Sequence, residues 1–441
     1  KRPILINILY QYNFTYSSSM PNHILTKDTY DRYSQRHQWA NDNKHICYLP
    51  YNSLQFFHSS KYVSPCCNLG KTVETDYLKP IFELKQAIKN KSTFQNCSVC
   101  YQCEDEGKIS ERTRYLIELT DSQLDNFLAN QTVNGFNIHC TLSNLCNMAC
   151  RSCNINTSSL FAKIETGKEL KTETISDDPS YWNTMLASIE IEVNRRDDVN
   201  LVISGGEGLI QPDFKKLLNW LIEKNISKKI HITINTNGII DNEKLITFLC
   251  DNFFRVSLAV SVDSIYENYH YVRWPGTWIK IEQNLEVFAD YRNSRSNFDF
   301  FLTPVWSVNN IFYVSDWILY FEKFKARFNF PYFFAYDTPL FQPSWLDIKN
   351  MPGYLKLEAA KDLETVLENQ WLKTNKGLYT NLHNLYHILH MPQDRLSDWR
   401  YYCKKTAEWD IKTNASSSIY NRKLFEKLKE SDKELLLRSY L

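Results

Sequence analysis

No run of eighteen or more apolar residues occurs in this 441-residue chain, so no segment is long enough to cross a bilayer as a helix. Net charge is also nearly missing. With 51 basic and 50 acidic side chains the sum is +1, and neither a nucleic acid nor an anionic membrane is advertised as a partner. A convincing secretion signal is lacking as well: KRPILINILYQYNFTYSSSM is basic and then apolar, but the apolar part is short and interrupted, and no small-x-small cleavage site follows. Repeats are absent, and low complexity is confined to NASSS at 414–418. These absences predict a cytoplasmic chain without membrane or nucleic-acid partners.

What the chain does have is twelve cysteines. Without a secretion signal, a disulfide framework is disfavoured and clustered thiols read as metal ligands. Hydrophobic content of 43% and charged content of 23% suit one large core or two to three smaller ones.

Three textures follow one another. Residues 1–130 are rich in Tyr, Asn and Cys and weakly periodic. Residues 131–340 alternate apolar runs with amphipathic stretches, and residues 341–441 begin Pro-rich and become helical and charged. In the middle region, strands are predicted at 136–142, 200–205, 230–236, 255–263, 298–305 and 329–336, all rich in β-branched or aromatic residues. Helices lie between them. Trp182, Met185, Leu186, Ile189 and Val193 share one face. Phe214, Leu217, Leu218 and Leu221 follow Pro212, and Trp278, Ile281, Leu285 and Phe288 follow Thr277, a predicted N-cap. Six strands alternating with helices predict an α/β fold whose parallel sheet is curved or barrel-like, with ligands at the carboxyl ends of the strands.

The first strand runs into LSNLCNMACRSCNI, which holds Cys146, Cys150 and Cys153. Twelve cysteines scattered at random would give this C-x3-C-x2-C spacing about 0.01 times. Structural zinc closes its shell with four ligands. A three-thiolate loop suits an iron–sulfur cluster that leaves one iron open to a substrate or cofactor. A structural zinc site or buried core thiols are the alternatives.

The segment CNMACRSC resembles the loop of the radical SAM superfamily, with Ser152 where a bulkier residue is usual. ISGGEG (203–208) resembles that superfamily's GGEP element, Gly208 standing for the proline. INTNG (234–238) and SVDS (261–264) are similar to elements at the next two strand ends. The resemblance implies a partial (β/α)6 barrel, a 4Fe–4S cluster on Cys146, Cys150 and Cys153, and S-adenosylmethionine (SAM) at Gly205, Gly206, Glu207, Asn235, Thr236, Asn237, Ser261 and Asp263. It further implies reductive cleavage of SAM to a 5′-deoxyadenosyl radical, hydrogen-atom abstraction from the substrate, and an electron donor such as flavodoxin or ferredoxin. A helix cap at Ser261 and Asp263 and plain turn roles for residues 235–237 are the alternatives.

A second constellation precedes the barrel: Cys47, Cys66 and Cys67, then Cys97, Cys100 and Cys103. It resembles a twitch or SPASM-like auxiliary-cluster module. Cys100, Glu104, Gly107, Ser110 and Arg112 match one of its segments, and YVRWPGTWIKIEQNL (271–285) resembles a later part of the same subgroup. This implies an auxiliary 4Fe–4S cluster on Cys47, Cys66, Cys97 and Cys100, with Cys67 and Cys103 as alternative ligands and zinc as the alternative metal. Arg112 and Arg273 read as ion pairs of the fold.

Cys250 and Cys140 are read as core thiols. Cys403 is a candidate hydrogen-atom donor, with a structural thiol as the alternative. Three regions are therefore expected: an auxiliary-cluster domain (1–130), the barrel (131–340) and a C-terminal helical extension (341–441). The resemblance points to a ribosomally made peptide as substrate, modified by crosslinking, epimerisation or another carbon-centred change. An enzyme acting on a small molecule, sugar or nucleotide, and a non-catalytic metal-stabilised binding module, are the rival readings.

Overall fold

The computed structural model describes residues 27–59, 62–66, 69, 76–105, 110–131, 133, 135–240, 243–330, 338–392 and 396–438. The strands, in chain order, are β1 (Ser53–Phe57), β2 (Val63–Ser64), β3 (Phe136–Thr141), β4 (Ala149–Cys150), β5 (Val199–Ser204), β6 (Ile230–Thr236), β7 (Arg255–Val260), β8 (Arg273–Trp274), β9 (Phe298–Leu302), β10 (Val305–Trp306) and β11 (Thr338–Pro339). One seven-stranded sheet has the order β2-β1-β3-β5-β6-β7-β9. β1, β3, β5 and β6 are parallel neighbours, and β2 is antiparallel to β1 at the edge. Strands alternate with helices as expected of a partial (β/α) barrel, and helices fill the C-terminal region.

Five of the six expected strands are present. The sixth falls at 329–336, of which residues 331–336 lie outside the described residues, while 329 and 330 are not in a strand. β1, whose sequence SLQFF sits in the weakly periodic N-terminal region, joins the sheet beside β3 and was not anticipated.

The chain divides into two compact units. Of the described residues, one comprises those up to Asn144 with Thr172–Ile234 and Thr247–Val256; the other comprises Leu145–Lys171, Asn235–Ile246 and those from Ser257 onward. In the first unit, alternation along the strands sorts the two faces of the sheet. Phe136, Ile138 and Cys140 of β3, Leu201 and Ile203 of β5, and Ile230, Ile232 and Ile234 of β6 are all buried. Each such Ile or Leu contributes about 2 kcal/mol through burial. The helix Pro179–Arg195 buries Met185, Leu186, Ile189 and Val193 as expected, but Tyr181 is the buried aromatic and Trp182 is only half-buried. The Tyr181 hydroxyl explains the exchange: it donates to the Tyr62 carbonyl at 2.7 Å and accepts the Phe57 N–H at 3.0 Å. In the helix Pro212–Glu223, Pro212 occupies the first turn and Phe214, Leu217, Leu218 and Leu221 are buried.

The opposite face of the sheet carries polar side chains around the buried Val202. Asn200 Nδ2 donates to Asn137 Oδ1 (3.2 Å), Thr233 Oγ1 donates to Asn200 Oδ1 (2.9 Å), and the Ser204 hydroxyl bonds His139 Nε2 at 2.5 Å. Burial pushes His139 down to about 4, and burial with the Arg255 charge pushes His231 to about 4. Both rings are neutral in the fold, whereas the unfolded chain takes up protons below about pH 6.5. Stability is therefore expected to fall as pH drops from about 6.5 towards 4, by at most about 1.4 kcal/mol per pH unit for each ring. Urea midpoints measured at pH 7, 6 and 5 check this, and His139→Gln should flatten the slope.

In the second unit, the helix Trp278–Ser294 buries Trp278, Ile281, Leu285 and Phe288. Thr277 stands at its N-cap position, but its side chain makes no capping bond. The C-terminal helices include Gly353–Leu367, Lys376–His390 and Leu396–Thr413. Among the described residues, no helix is long and apolar enough to cross a membrane.

Candidate functional site

The three-cysteine loop lies in the second unit. Its middle cysteine is in β4, which pairs antiparallel with β8 so that Cys150 faces Arg273 and Ala149 faces Trp274. The Arg151 N–H extends the pairing to the Val272 carbonyl at 2.9 Å. After the loop, Ser158 caps the helix Ser159–Thr166 by accepting the Phe161 N–H at 3.1 Å, and its hydroxyl donates to the Met148 carbonyl at 2.6 Å. Ser159 Oγ accepts the Cys146 N–H at 3.1 Å.

Every sulfur of the loop has a hydrogen-bonding partner. The Met148 N–H donates to Cys146 Sγ at 3.4 Å, Arg273 Nη1 donates to Cys150 Sγ at 3.6 Å, and the Thr157 hydroxyl bonds Cys153 Sγ at 3.0 Å. Burial pushes the Cys150 and Cys153 thiols up, and the Arg273 charge opposes the shift at both. A buried neutral thiol has little use for a cation beside it. A thiolate bound to metal needs such partners, because they hold its orientation and spread its charge. The donor set therefore fits an iron–sulfur cluster.

Arg151, between two of the cysteines, was not singled out by the sequence and is buried. Its Nε donates to the Tyr271 carbonyl at 2.9 Å, its Nη2 to Asp410 Oδ1 at 2.7 Å, and its guanidinium lies 3.8 Å from the centre of the Tyr271 ring. Asp410 also accepts the Ser417 N–H at 2.6 Å. Asp410 belongs to the helix Leu396–Thr413, which reaches the loop's own helix again through the Lys405–Glu165 ion pair and a 3.0 Å bond from Trp409 Nε1 to Glu165. No local signal marks these partners, because they are distant in sequence.

Elsewhere in this unit, Asn237 Nδ2 donates to Asn147 Oδ1 at 2.7 Å, which ties the strand-end turn to the cysteine loop. Gly238 has φ +71°, and a Cβ there would meet Ile281 Cδ1 at 2.4 Å, so only glycine fits this turn. Thr236 Oγ1 accepts the Gly238 N–H at 3.1 Å, while Asn235 is half-buried. Ser261 donates its N–H to the Thr236 carbonyl at 2.9 Å, and its hydroxyl bonds Thr303 at 3.3 Å. Asp263 is 2% exposed, ion-paired to Arg273 Nε at 2.8 Å, and accepts the Val305 N–H at 2.9 Å. Arg273 is thus an ion pair of the fold, as expected, and also a partner of the loop.

The GGEG element lies in the first unit, where β5 ends. Gly205 has φ +84°, and a Cβ would come within 2.7 Å of the Ser143 carbonyl oxygen, so the backbones meet where a side chain cannot fit. Gly206 is half-buried. Glu207 is fully buried and accepts the Leu209 N–H at 3.2 Å.

The N-terminal cysteines also lie in the first unit. Cys47, Cys66 and Cys97 share one apolar cluster with Leu49, Leu69, Leu84 and Ile88. Cys47 is raised by burial and further by Cys97 and Cys100, and Cys97 is pushed up to about 12 by burial, then by Cys66 and Cys100. Those mutual influences gather Cys47, Cys66, Cys97 and Cys100 into one group. Burial raises the Cys100 thiol, and a hydrogen bond from the Arg112 backbone N–H opposes that shift. Cys103 is half-buried on the same helix, Ser98–Asp105, and Cys67 lies outside the described residues. Among the described residues, no three Cys, His, Asp or Glu side chains are placed to hold a single metal ion. A cluster, whose irons sit at separate corners, asks for thiolates that surround a volume rather than a point.

Arg112 is 2% exposed. Its Nε and Nη2 grip Glu104 at 3.0 and 2.6 Å, while its remaining N–H groups reach the carbonyls of Ala40 (2.9 Å), Asn43 (3.2 Å) and Ile46 (2.7 Å). The ion pair expected of Arg112 is therefore present, and it ties the segment before Cys47 to the helix that carries Cys100. Cys140 and Cys250 are buried, as expected of core thiols. Cys403 is 1% exposed, and burial with the nearby Asp432 charge pushes its thiol up to about 12, so it stays S–H.

Residues 140–303 match the family model of the Radical SAM superfamily. The match takes in the three-cysteine loop and the GGEG, INTNG and SVDS segments; the N-terminal cysteines lie outside it. Among solved structures, the chain is similar to native anSMEcpe with bound AdoMet, at 20% identity over 54% of this chain and 59% of that one, with a TM-score of 0.38. It is similar to native anSMEcpe with bound AdoMet and Cp18Cys peptide, at 19% identity over 55% and 61%, with a TM-score of 0.39. It is also similar to Streptococcus suis SuiB bound to precursor peptide SuiA, at 13% identity over 75% and 72%, with a TM-score of 0.38. The chain thus spans about three fifths of the anSMEcpe chains it matches. No curated protein matches it.

Proposed function

We propose that this protein is a radical SAM enzyme with an auxiliary iron–sulfur cluster. One observation carries the reading: each sulfur of the C-x3-C-x2-C loop has a hydrogen-bonding partner, within a segment that matches the superfamily's model. Cys146, Cys150 and Cys153 would hold a 4Fe–4S cluster. Bound there with SAM, it would supply a 5′-deoxyadenosyl radical for hydrogen-atom abstraction.

The chain's own residues would orient the cofactor. Gly205 and Gly206 would present their backbone to the methionine moiety, and the Glu207 carboxylate would be a countercharge to its ammonium. Asn235, Thr236, Asn237 and Ser261 supply polar atoms at the following strand ends. Asp263 is committed to Arg273 and Val305, so its contribution runs through Arg273.

Cys47, Cys66, Cys97 and Cys100 would hold the auxiliary cluster, with Cys103 and Cys67 as alternates. That cluster would take or relay an electron after abstraction. Cys403, kept as S–H, is the candidate hydrogen donor. The substrate proposed is a ribosomally made peptide, on the strength of the resemblance of the N-terminal segments to auxiliary-cluster proteins. The proposed electron donor is flavodoxin or ferredoxin.

Anaerobic reconstitution with iron and sulfide, followed by dithionite and SAM, tests the reading. Brown iron–sulfur absorbance and 5′-deoxyadenosine are expected. A fully loaded protein that releases no 5′-deoxyadenosine would contradict it.

A further inference from the structure

Arg273 touches the cysteine loop in two ways. Its backbone pairs with that of Cys150, and its Nη1 points to Cys150 Sγ at 3.6 Å. Its Nε is held by Asp263 at 2.8 Å, and both side chains are at most 9% exposed. Asp263 is fixed in turn by the Val305 N–H. The turn behind Arg273 leaves no slack: a Cβ on Gly276 would come within 2.7 Å of Met148 Cε and 2.9 Å of the Arg273 carbonyl oxygen. A guanidinium so constrained aims its Nη1 donor at the Cys150 sulfur, and its charge is felt at both Cys150 and Cys153.

We propose that Arg273 is a positioning residue that, balanced by Asp263, sets the reduction potential of the cluster held by Cys146, Cys150 and Cys153. The inference rests on the radical SAM function proposed for this loop. Reduction adds one electron and one negative charge to a cluster and its thiolates. An N–H donor and a positive charge at one sulfur favour the reduced state, and hydrogen bonds to sulfur are among the levers that set such potentials. The Asp263 carboxylate, one side chain further out, cancels part of that charge. The two members of the pair therefore pull the potential in opposite directions.

The test is an EPR-monitored redox titration of reconstituted full-length protein, following the signal that changes when SAM is added. Arg273→Met leaves the Asp263 charge uncompensated. Its potential should become more negative by tenfold or more in the reduction equilibrium, 59 mV for one electron. Asp263→Asn frees the charge of Arg273 and should shift the potential the other way. Arg273→Lys, which keeps the charge but loses the fork, should fall between wild type and Arg273→Met. Should Arg273→Met fail to fold, Asp263→Asn and Arg273→Lys decide the same question.

Opposite shifts with unchanged iron content support the proposal, since a purely structural pair would not move the potential in two directions. Loaded variants that titrate like wild type overturn it. A wild-type protein whose spectrum ignores SAM would sink the functional reading itself, a result distinguishable from the first.

Discussion

Replacing Cys150 with alanine is expected to bring 5′-deoxyadenosine formation down to background while the proposed auxiliary cluster remains. A cluster with three protein thiolates has none to spare, so the loss should be complete rather than graded. Of the three proposed ligands, Cys150 is the one that sits in β4 opposite Arg273 and accepts a bond from its guanidinium. Iron content should drop by about half, because each site would hold one 4Fe–4S cluster. Alanine at Cys97 should give the converse: the auxiliary signal vanishes, and the SAM-responsive signal persists. Iron analysis, EPR with and without SAM, and product chromatography together decide it. Unchanged 5′-deoxyadenosine release by the Cys150 variant would refute the ligand assignment.

Arg112→Met should destabilise the fold by about 3–5 kcal/mol, because it leaves one member of a buried ion pair without its partner. Glu104 would keep a buried charge opposite a thioether, and the carbonyls of Ala40, Asn43 and Ile46 would lose their donor. The damage would spread to the N-terminal cysteines, since those carbonyls immediately precede Cys47 and Glu104 shares a helix with Cys100. Urea denaturation gives the stability loss, and iron content gives the loss at the auxiliary site. Glu104→Gln in the same chain should restore part of the stability by removing the orphaned charge. A variant that unfolds at the wild-type midpoint would show that the pair contributes nothing.

Much of the fold was legible because period-two and period-3.6 patterns are local. Ile230, Ile232 and Ile234 announce a strand, and Phe214, Leu217, Leu218 and Leu221 announce a helix, whatever lies around them. β1 escaped for the opposite reason. SLQFF is short, sits among turn-forming residues, and joins the parallel sheet by pairing with β3 some eighty residues on. Tyr181 displaced Trp182 from the core because its hydroxyl finds Tyr62 and Phe57, a choice that periodicity does not encode.

At the candidate site, spacing made the cysteine loop visible, and φ values above zero at Gly205 and Gly238 explain why glycine stands there. The partners of the loop were hidden. Asp263 read as a cofactor contact because its motif lies at a strand end; its bond to Arg273 is a tertiary fact. The same holds for Glu104 with Arg112, whose residues a family pattern marks without saying that they clasp each other.

The tether between Arg151 and Asp410 closes over 259 residues of chain. A ribosome moving from amino to carboxyl end makes the thiols early and the Asp410 and Ala415 partners of Arg151 late. If the loop holds a cluster as proposed, metal delivered during synthesis would meet a lariat still lacking its knot.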